Sequence, residues 1–119
     1  MKLRILVPLF AVFYHVAFAA HTPDSLLRLA VKARDVKNQV QFMCEAAVWW
    51  RDKGTFDSAQ TVLNQALLRA KNQNDSVSMG LVHYHLGGLS WRMGQYEDAR
   101  MNYHKSIDIR QKLHDTPGV

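Results

Sequence analysis

The feature that most constrains the fold is an internal repeat with a period of 40 residues. Segments 53–59 and 93–99 align at this offset and share a glycine, an aromatic residue, an acid and an alanine in the same places. The glycines of the two copies are Gly54 and Gly94. A period of this length is typical of stacked supersecondary units, each of which covers part of its apolar surface with its neighbour.

The repeat extends into the segments on either side of each glycine. The same offset pairs residues at helical spacing: Leu63 with Tyr103, Ala66 with Ser106, Leu67 with Ile107, and Ala47 with Gly87. Apolar and small residues three and four positions apart predict one buried stripe along a helix. Glycine can adopt the left-handed conformation that ends one helix and starts a turn, so each copy predicts two helices joined at its glycine.

Helix boundaries follow from this register and from capping residues. A leading helix is expected to start at Thr22-Pro23 and to run to about residue 34, because a hydroxyl cap followed by proline favours a helix start. The repeats predict helices near 36–53, 56–73, 76–93 and 96–114, with Asn74-Asp75 supplying the cap between repeats. Only 6 glycines and 3 prolines interrupt the chain, and strand patterns are poor, so the predicted class is all-α.

This pattern resembles the tetratricopeptide repeat, whose core reads Gly-x-aromatic-x-x-Ala-x-x-x-aromatic-x-x-Ala. The second copy matches with Gly94, Tyr96, Ala99 and Tyr103, with Ser106 in the last position. The first matches with Gly54, Phe56, Ala59 and Ala66, with Leu63 in place of the second aromatic. The period exceeds the usual length of about 34 residues and resembles the longer-helix variant of bacterial sensor proteins and some eukaryotic scaffolds. The resemblance covers residues 40 to about 114 and implies an α-solenoid of antiparallel helix pairs.

The repeat register divides the chain into segments. Residues 20–35 form the predicted leading helix, 36–75 the first repeat and 76–115 the second. Applying the offset to Asp75 gives Asp115, so residues 116–119 are the expected start of a third repeat. About three repeats are usually needed for independent stability. The array is therefore expected to stop before it is complete, so that either more chain follows or the open end pairs with another molecule.

Residues 1–19 have the pattern of a secretory signal peptide. Lys2 and Arg4 precede a mainly apolar run at 5–17, and Ala17 and Ala19 are small residues of the kind that a signal peptidase requires. Cleavage near Ala19 would export the protein to the periplasm or the medium. The apolar run is shorter than a membrane-spanning helix, and an uncleaved membrane anchor remains the alternative.

Charge and cysteine content narrow the choice of partners. The formal net charge is +5 and falls to +3 without Lys2 and Arg4, and acids and bases are interspersed along the chain. Nucleic-acid binding requires a clustered basic face, so no nucleic-acid partner is expected.

The single cysteine, Cys44, cannot form an internal disulfide. It is interpreted as a small buried residue, with intermolecular pairing or a reactive thiol as alternatives.

The resemblance implies a concave groove lined by the first helix of each repeat, where a peptide or protein would bind. Tyr84, Trp91 and Arg92 are the strongest candidates, because aromatic and arginine residues dominate protein recognition surfaces. Ordinary packing between repeats is the competing interpretation. Trp50 is expected to face the core, and Trp49 the neighbouring element. The full groove set comprises Gln41, Cys44, Val48, Arg51, Asp52, Leu81, Tyr84, Gly88, Trp91 and Arg92.

Catalytic and metal sites are not predicted. His83 and His85 are two residues apart, so on a helix their imidazoles diverge and cannot share a metal ion. No nucleophile elbow, phosphate-binding glycine loop or metalloprotease motif is present, and Gly87 and Gly88 fall mid-helix, where close packing explains them. We expect no enzymatic activity, no metal and no small-molecule cofactor.

These features predict an exported protein- or peptide-binding module that forms the N-terminal part of a larger sensor or regulator, by resemblance to the periplasmic repeat segments of bacterial sensor kinases. The alternative is a small exported scaffold that self-assembles into homo-oligomers through open repeat ends. A third class, an enzyme or metal protein built on His83, His85 and Cys44, predicts that zinc raises the melting temperature.

Overall fold

A computed structural model describes residues 22–115 of the chain. The predicted signal peptide and the predicted start of a third repeat lie outside these residues. Within them the chain forms helices and no strands, so the all-α prediction is confirmed. The helices are α1 (Pro23–Lys32), α2 (Val36–Asp52), α3 (Phe56–Asn72), α4 (Ser76–Arg92) and α5 (Tyr96–Asp115).

The helices of the two copies keep the register that the sequence predicts. α2 and α4 begin and end 40 residues apart, and α3 and α5 begin 40 residues apart. α5 runs three residues further than α3, so Asp115 lies inside a helix, whereas the corresponding Asp75 caps α4. In residues 22–115, no helix combines the length and apolarity needed to span a bilayer.

Side-chain caps fix three of the helix starts. The Thr22 hydroxyl accepts a hydrogen bond from the Ser25 amide at 3.3 Å, and Pro23 occupies the first turn of α1. A carboxylate oxygen of Asp75 accepts from the Ser78 amide at 3.1 Å. Asp35, which sequence inspection did not single out, caps α2 by accepting from the Asn38 amide at 2.7 Å. Each cap satisfies an amide that the helix itself leaves unpaired.

The three turns that follow α2, α3 and α4 share one backbone conformation. Gly54 and Gly94 have φ values of 80° and 76°, as the repeat predicts, and Asn74 between the two repeats has a φ of 52°. The backbone N–H of the residue after each of them donates a hydrogen bond to a carbonyl of the preceding helix. That of Thr55, for example, donates to the Trp50 carbonyl at 2.8 Å. A left-handed residue thus closes each of these three helices and redirects the chain within three residues.

The core lies where α2, α3 and α4 meet. Each helix packs against the next along the chain, and α2 also packs against α4. The largest fully buried side chains are Leu63, Leu89, Val40, Val82 and Cys44. The small residues of the repeat are buried as predicted, with Ala59 and Ala66 at 0% exposure and Ala99 at 1%. Trp50 is partly buried and packs against this core.

The aromatic residues that follow the two turn glycines have different surroundings. Phe56 is partly buried against the core, whereas Tyr96 is 59% exposed. Tyr96 instead packs edge-on against Trp91, with ring centroids 4.8 Å apart. Tyr96 therefore does not fill the turn that precedes it: within residues 22–115, no helix follows α5 to cover it.

Candidate functional site

The predicted groove residues of α4 share one face of that helix. They are spaced by three and four residues, which places them in a single stripe. Tyr84 is 49% exposed and Trp91 is 59% exposed, and Arg92 is also exposed. Leu81 is partly buried against the core, and Gly88 lies between the two exposed rings. Two large aromatic side chains therefore remain accessible on this face.

The corresponding residues of α2 are less uniform. Gln41 is exposed and donates a hydrogen bond to the Glu45 carboxylate at 3.2 Å. Val48 and Arg51 are half-buried, and Asp52 is exposed. Cys44, by contrast, is only 1% exposed and belongs to the core, so it does not line an accessible groove.

An ion-pair cluster joins the ends of α2 and α4. One carboxylate oxygen of Asp52 lies 3.1 Å from the Arg51 guanidinium and 3.4 Å from that of Arg92. Because Asp52 and Arg92 are about half exposed, solvent screens the pair and its contribution to stability is small. Its effect is positional, since it places two guanidinium groups side by side on the surface that α2 and α4 form.

α5 contributes two residues that sequence reasoning did not assign to this surface. The Arg110 guanidinium lies 5.5 Å from the centroid of the Tyr84 ring, within cation–π range. The Tyr103 ring centroid is 5.9 Å from that of Tyr84. A Cβ built on Gly88 would lie 3.1 Å from Arg51 Nη1 and 3.7 Å from the Tyr103 hydroxyl. The surface is therefore built from three helices, with a glycine at its floor.

The two histidines of α4 point into different surroundings, as their spacing predicts. Asn102 donates its amide N–H to the Asp98 carbonyl, so its oxygen accepts from His83 Nδ1 at 3.0 Å. His85 lies on the side of α4 next to Arg51, and its buried Nδ1 has no hydrogen-bond partner. Burial lowers the pKa of His85, and the charges of Arg51 and Arg110 lower it further, against a smaller opposing effect of Glu45. His85 is therefore held neutral.

Within residues 22–115, no three or more histidine, cysteine, aspartate or glutamate side chains come close enough together to hold a metal ion.

The thiol of Cys44 has low reactivity in the folded chain. Burial raises the pKa of its thiol to about 12, and the nearby Glu45 carboxylate acts in the same direction. The thiolate is the reactive form, so protonation and burial of the thiol both suppress reaction.

We expect an aromatic disulfide reagent at neutral pH to leave Cys44 unmodified in the native protein and to titrate one thiol in denaturant. Rapid labelling of the native protein would restore the reactive-thiol alternative.

A separate cavity of about 420 Å³ lies at the α4–α5 end of the molecule. Its walls are mainly apolar and aromatic, and Glu97 and Arg100 lie at its edge. It shares only Trp91 with the predicted groove. The repeat register singled out Tyr96, Ala99, Tyr103 and Ile107 as repeat positions and did not identify them as a site. The main wall residues are Trp91, Tyr96, Tyr103 and Ile107.

Comparison of the chain with protein-family models, with curated proteins and with solved structures gives no match. The functional interpretation therefore depends on the side-chain arrangement described above.

Proposed function

We propose that this chain is an exported protein- or peptide-binding module of the tetratricopeptide kind, and that it forms the N-terminal part of a larger sensor or regulator. Export would follow cleavage near Ala19. The ligand would bind the face formed by α2 and α4, with α5 contributing at one side. The 40-residue register of helices and turns supports this assignment.

Contacts between α4 and α5 support a solenoid of antiparallel helix pairs. Late in α4, a Cβ built on Gly87 would meet the Tyr103 ring. Early in α4, a Cβ built on Gly80 would lie 3.4 Å from Ile109 Cγ2. The Gly80 carbonyl also accepts a hydrogen bond from the Ser106 hydroxyl at 2.8 Å. Earlier positions of α4 thus meet later positions of α5, as in two helices that run in opposite directions.

The observation that carries the functional proposal is the exposure of aromatic and arginine side chains together on this face. Tyr84 and Trp91 are about half exposed. On the same face, the guanidinium groups of Arg51 and Arg92 both contact the Asp52 carboxylate. Tyrosine, tryptophan and arginine dominate the binding energy at protein interfaces. The two aromatic residues combine a large contact area with only two side-chain dihedrals, and arginine supplies several hydrogen-bond donors. Half-exposed rings on a rigid helix pair can bind a ligand without a large ordering cost.

The test starts from a random peptide library selected against the full chain. The affinity of the selected peptides is then measured by fluorescence anisotropy. We expect Tyr84→Ala and Arg92→Ala each to weaken binding by about tenfold, because each removes a side chain of the type that forms interface hot spots. Leu68→Ala is the matched control, since Leu68 is 60% exposed on α3 and lies outside this face. Selected peptides that bind the Tyr84→Ala/Arg92→Ala double variant as tightly as the native chain would refute the assignment.

A further inference from the structure

The junction between the first repeat and α4 is fully packed. On the first-repeat side it is formed by Val48, Arg51 and Leu63, together with Ala47. His85 and Leu89, four residues apart on α4, pack into it from the other side and leave no space that would hold a water molecule. This junction shows how one repeat of this chain accepts the helix that follows it.

The matching position on the second repeat is open. The 40-residue register places Trp91 where the first repeat has Arg51, and Tyr103 where it has Leu63. Both line the 420 Å³ cavity at the α4–α5 end. Ile107 in the same cavity is 48% exposed, whereas its counterpart Leu67 is partly buried against the core. Among residues 22–115, the same surface is therefore covered in one repeat and uncovered in the other.

We propose that this cavity docks an amphipathic helix of a partner protein, and that the helix has the chemistry of α4: a leucine and a ring-bearing residue four positions apart. The argument is continuity with an interface that already exists in the molecule. The cavity continues the α3–α4 junction by one repeat, with walls from the equivalent two helices. The docked leucine would occupy the place that Leu89 occupies in the junction. This site shares Trp91 and Tyr103 with the α2–α4 face, but its other main walls, Tyr96 and Ile107, lie outside that face.

The internal junction and the cavity differ in the residue that lies next to the ring. This difference determines which ring the cavity prefers. In the internal junction, His85 lies beside the positively charged Arg51, and the pKa of His85 is lowered. In the cavity, the residue that corresponds to Arg51 is Trp91, which carries no charge. The docked ring would therefore meet an indole and a phenol, which favour edge-to-face contact with a hydrocarbon ring. A phenylalanine at the ring position should bind more tightly than a histidine.

A synthetic peptide with the sequence of residues 75–95 provides a direct probe, because it carries the α4 face together with its cap and turn. Fluorescence anisotropy of the labelled peptide with the full 119-residue chain is expected to show saturable binding. The same peptide with Leu89→Ala should bind at least about tenfold more weakly, and that with His85→Phe more tightly. Gln41→Ala in the chain should leave docking unchanged, because Gln41 belongs to the predicted α2–α4 groove and does not line the cavity.

Substitutions in the chain locate the binding. Ile107→Lys should weaken docking at least about tenfold, because it places a charge against an apolar partner. Tyr96→Lys, at the other end of the cavity, should act in the same direction. Met101→Lys is the matched control: Met101 is 54% exposed on the same helix and does not line the cavity. Far-UV circular dichroism verifies that each variant stays helical.

Three results would overturn the proposal. The first is an absence of saturable binding of the peptide. The second is equal affinity of the peptide for the native chain and for the Ile107→Lys variant. The third is a doubled mass of the native chain by light scattering, without peptide, that Ile107→Lys abolishes and Met101→Lys preserves. That outcome would assign the cavity to a second copy of the chain.

Discussion

Truncation of Leu89 to alanine is expected to lower the free energy of unfolding by about 2–5 kcal/mol, the usual cost of a leucine cavity in a packed core. Leu89 is 1% exposed and lies between α2 and α3 at the junction of the two repeats. The junction has no space that would hold a water molecule, so the truncation would create a new cavity there. Because small domains have total stabilities of about 5–15 kcal/mol, this loss would remove a large part of the total.

Urea unfolding monitored by circular dichroism measures the effect. Leu68→Ala on α3 is the control, since Leu68 is 60% exposed and its truncation should change stability by less than about 0.5 kcal/mol. Similar small losses for both variants would show that the two repeats do not depend on each other for stability.

Replacement of Gly87 by alanine is expected to destabilise the chain by about 1–3 kcal/mol through overpacking. A Cβ at this position would lie 2.7 Å from two atoms of the Tyr103 ring, so the ring or the helix has to move. Alanine is the better helix former by about 1 kcal/mol, and this gain offsets part of the cost. The expected net effect is a loss, although the intrinsic helix propensity rises.

The first repeat supplies the rescue for this substitution. At the equivalent positions it has Ala47 and Leu63, which are buried at 2% and 1% exposure. The double variant Gly87→Ala/Tyr103→Leu recreates that pair and should recover about 1 kcal/mol relative to the sum of the single variants. Gly88→Ala is the control, because its Cβ would meet only the flexible end of Arg51 and the Tyr103 hydroxyl. Additive single effects in the thermal unfolding of the double variant would contradict the steric argument.

The helices were predictable because their signals are local. Gly54 and Gly94 adopt the left-handed conformation of the turns, and Thr22 and Asp75 cap helices. The alanines of the repeat allow the helices to pack closely. Each of these depends on the few residues around it and on the 40-residue register. Asp35 was missed as a cap, although its position in the sequence, 40 residues before Asp75, could have identified it.

The site was less predictable because it depends on contacts between distant elements. The register gives Cys44 and Tyr84 the same angular position on their helices, but the small thiol is covered while the long phenol reaches the surface. The approach of Arg110 to Tyr84 depends on how α5 is rotated against α4, and no sequence spacing reveals that rotation. The exposure of Tyr96 depends on what covers α5, which is also not a local property.

The contacts between helices follow the order of the chain. Within residues 22–115, extensive packing joins each helix to the next, and α2 also packs against α4. Such a molecule has low contact order, so little chain entropy is lost before each contact forms. During synthesis, a pair of helices that has left the ribosome can pack at once and then serve as the template for the helix that emerges next. Folding can thus keep pace with translation, since no early segment has to wait for a distant one.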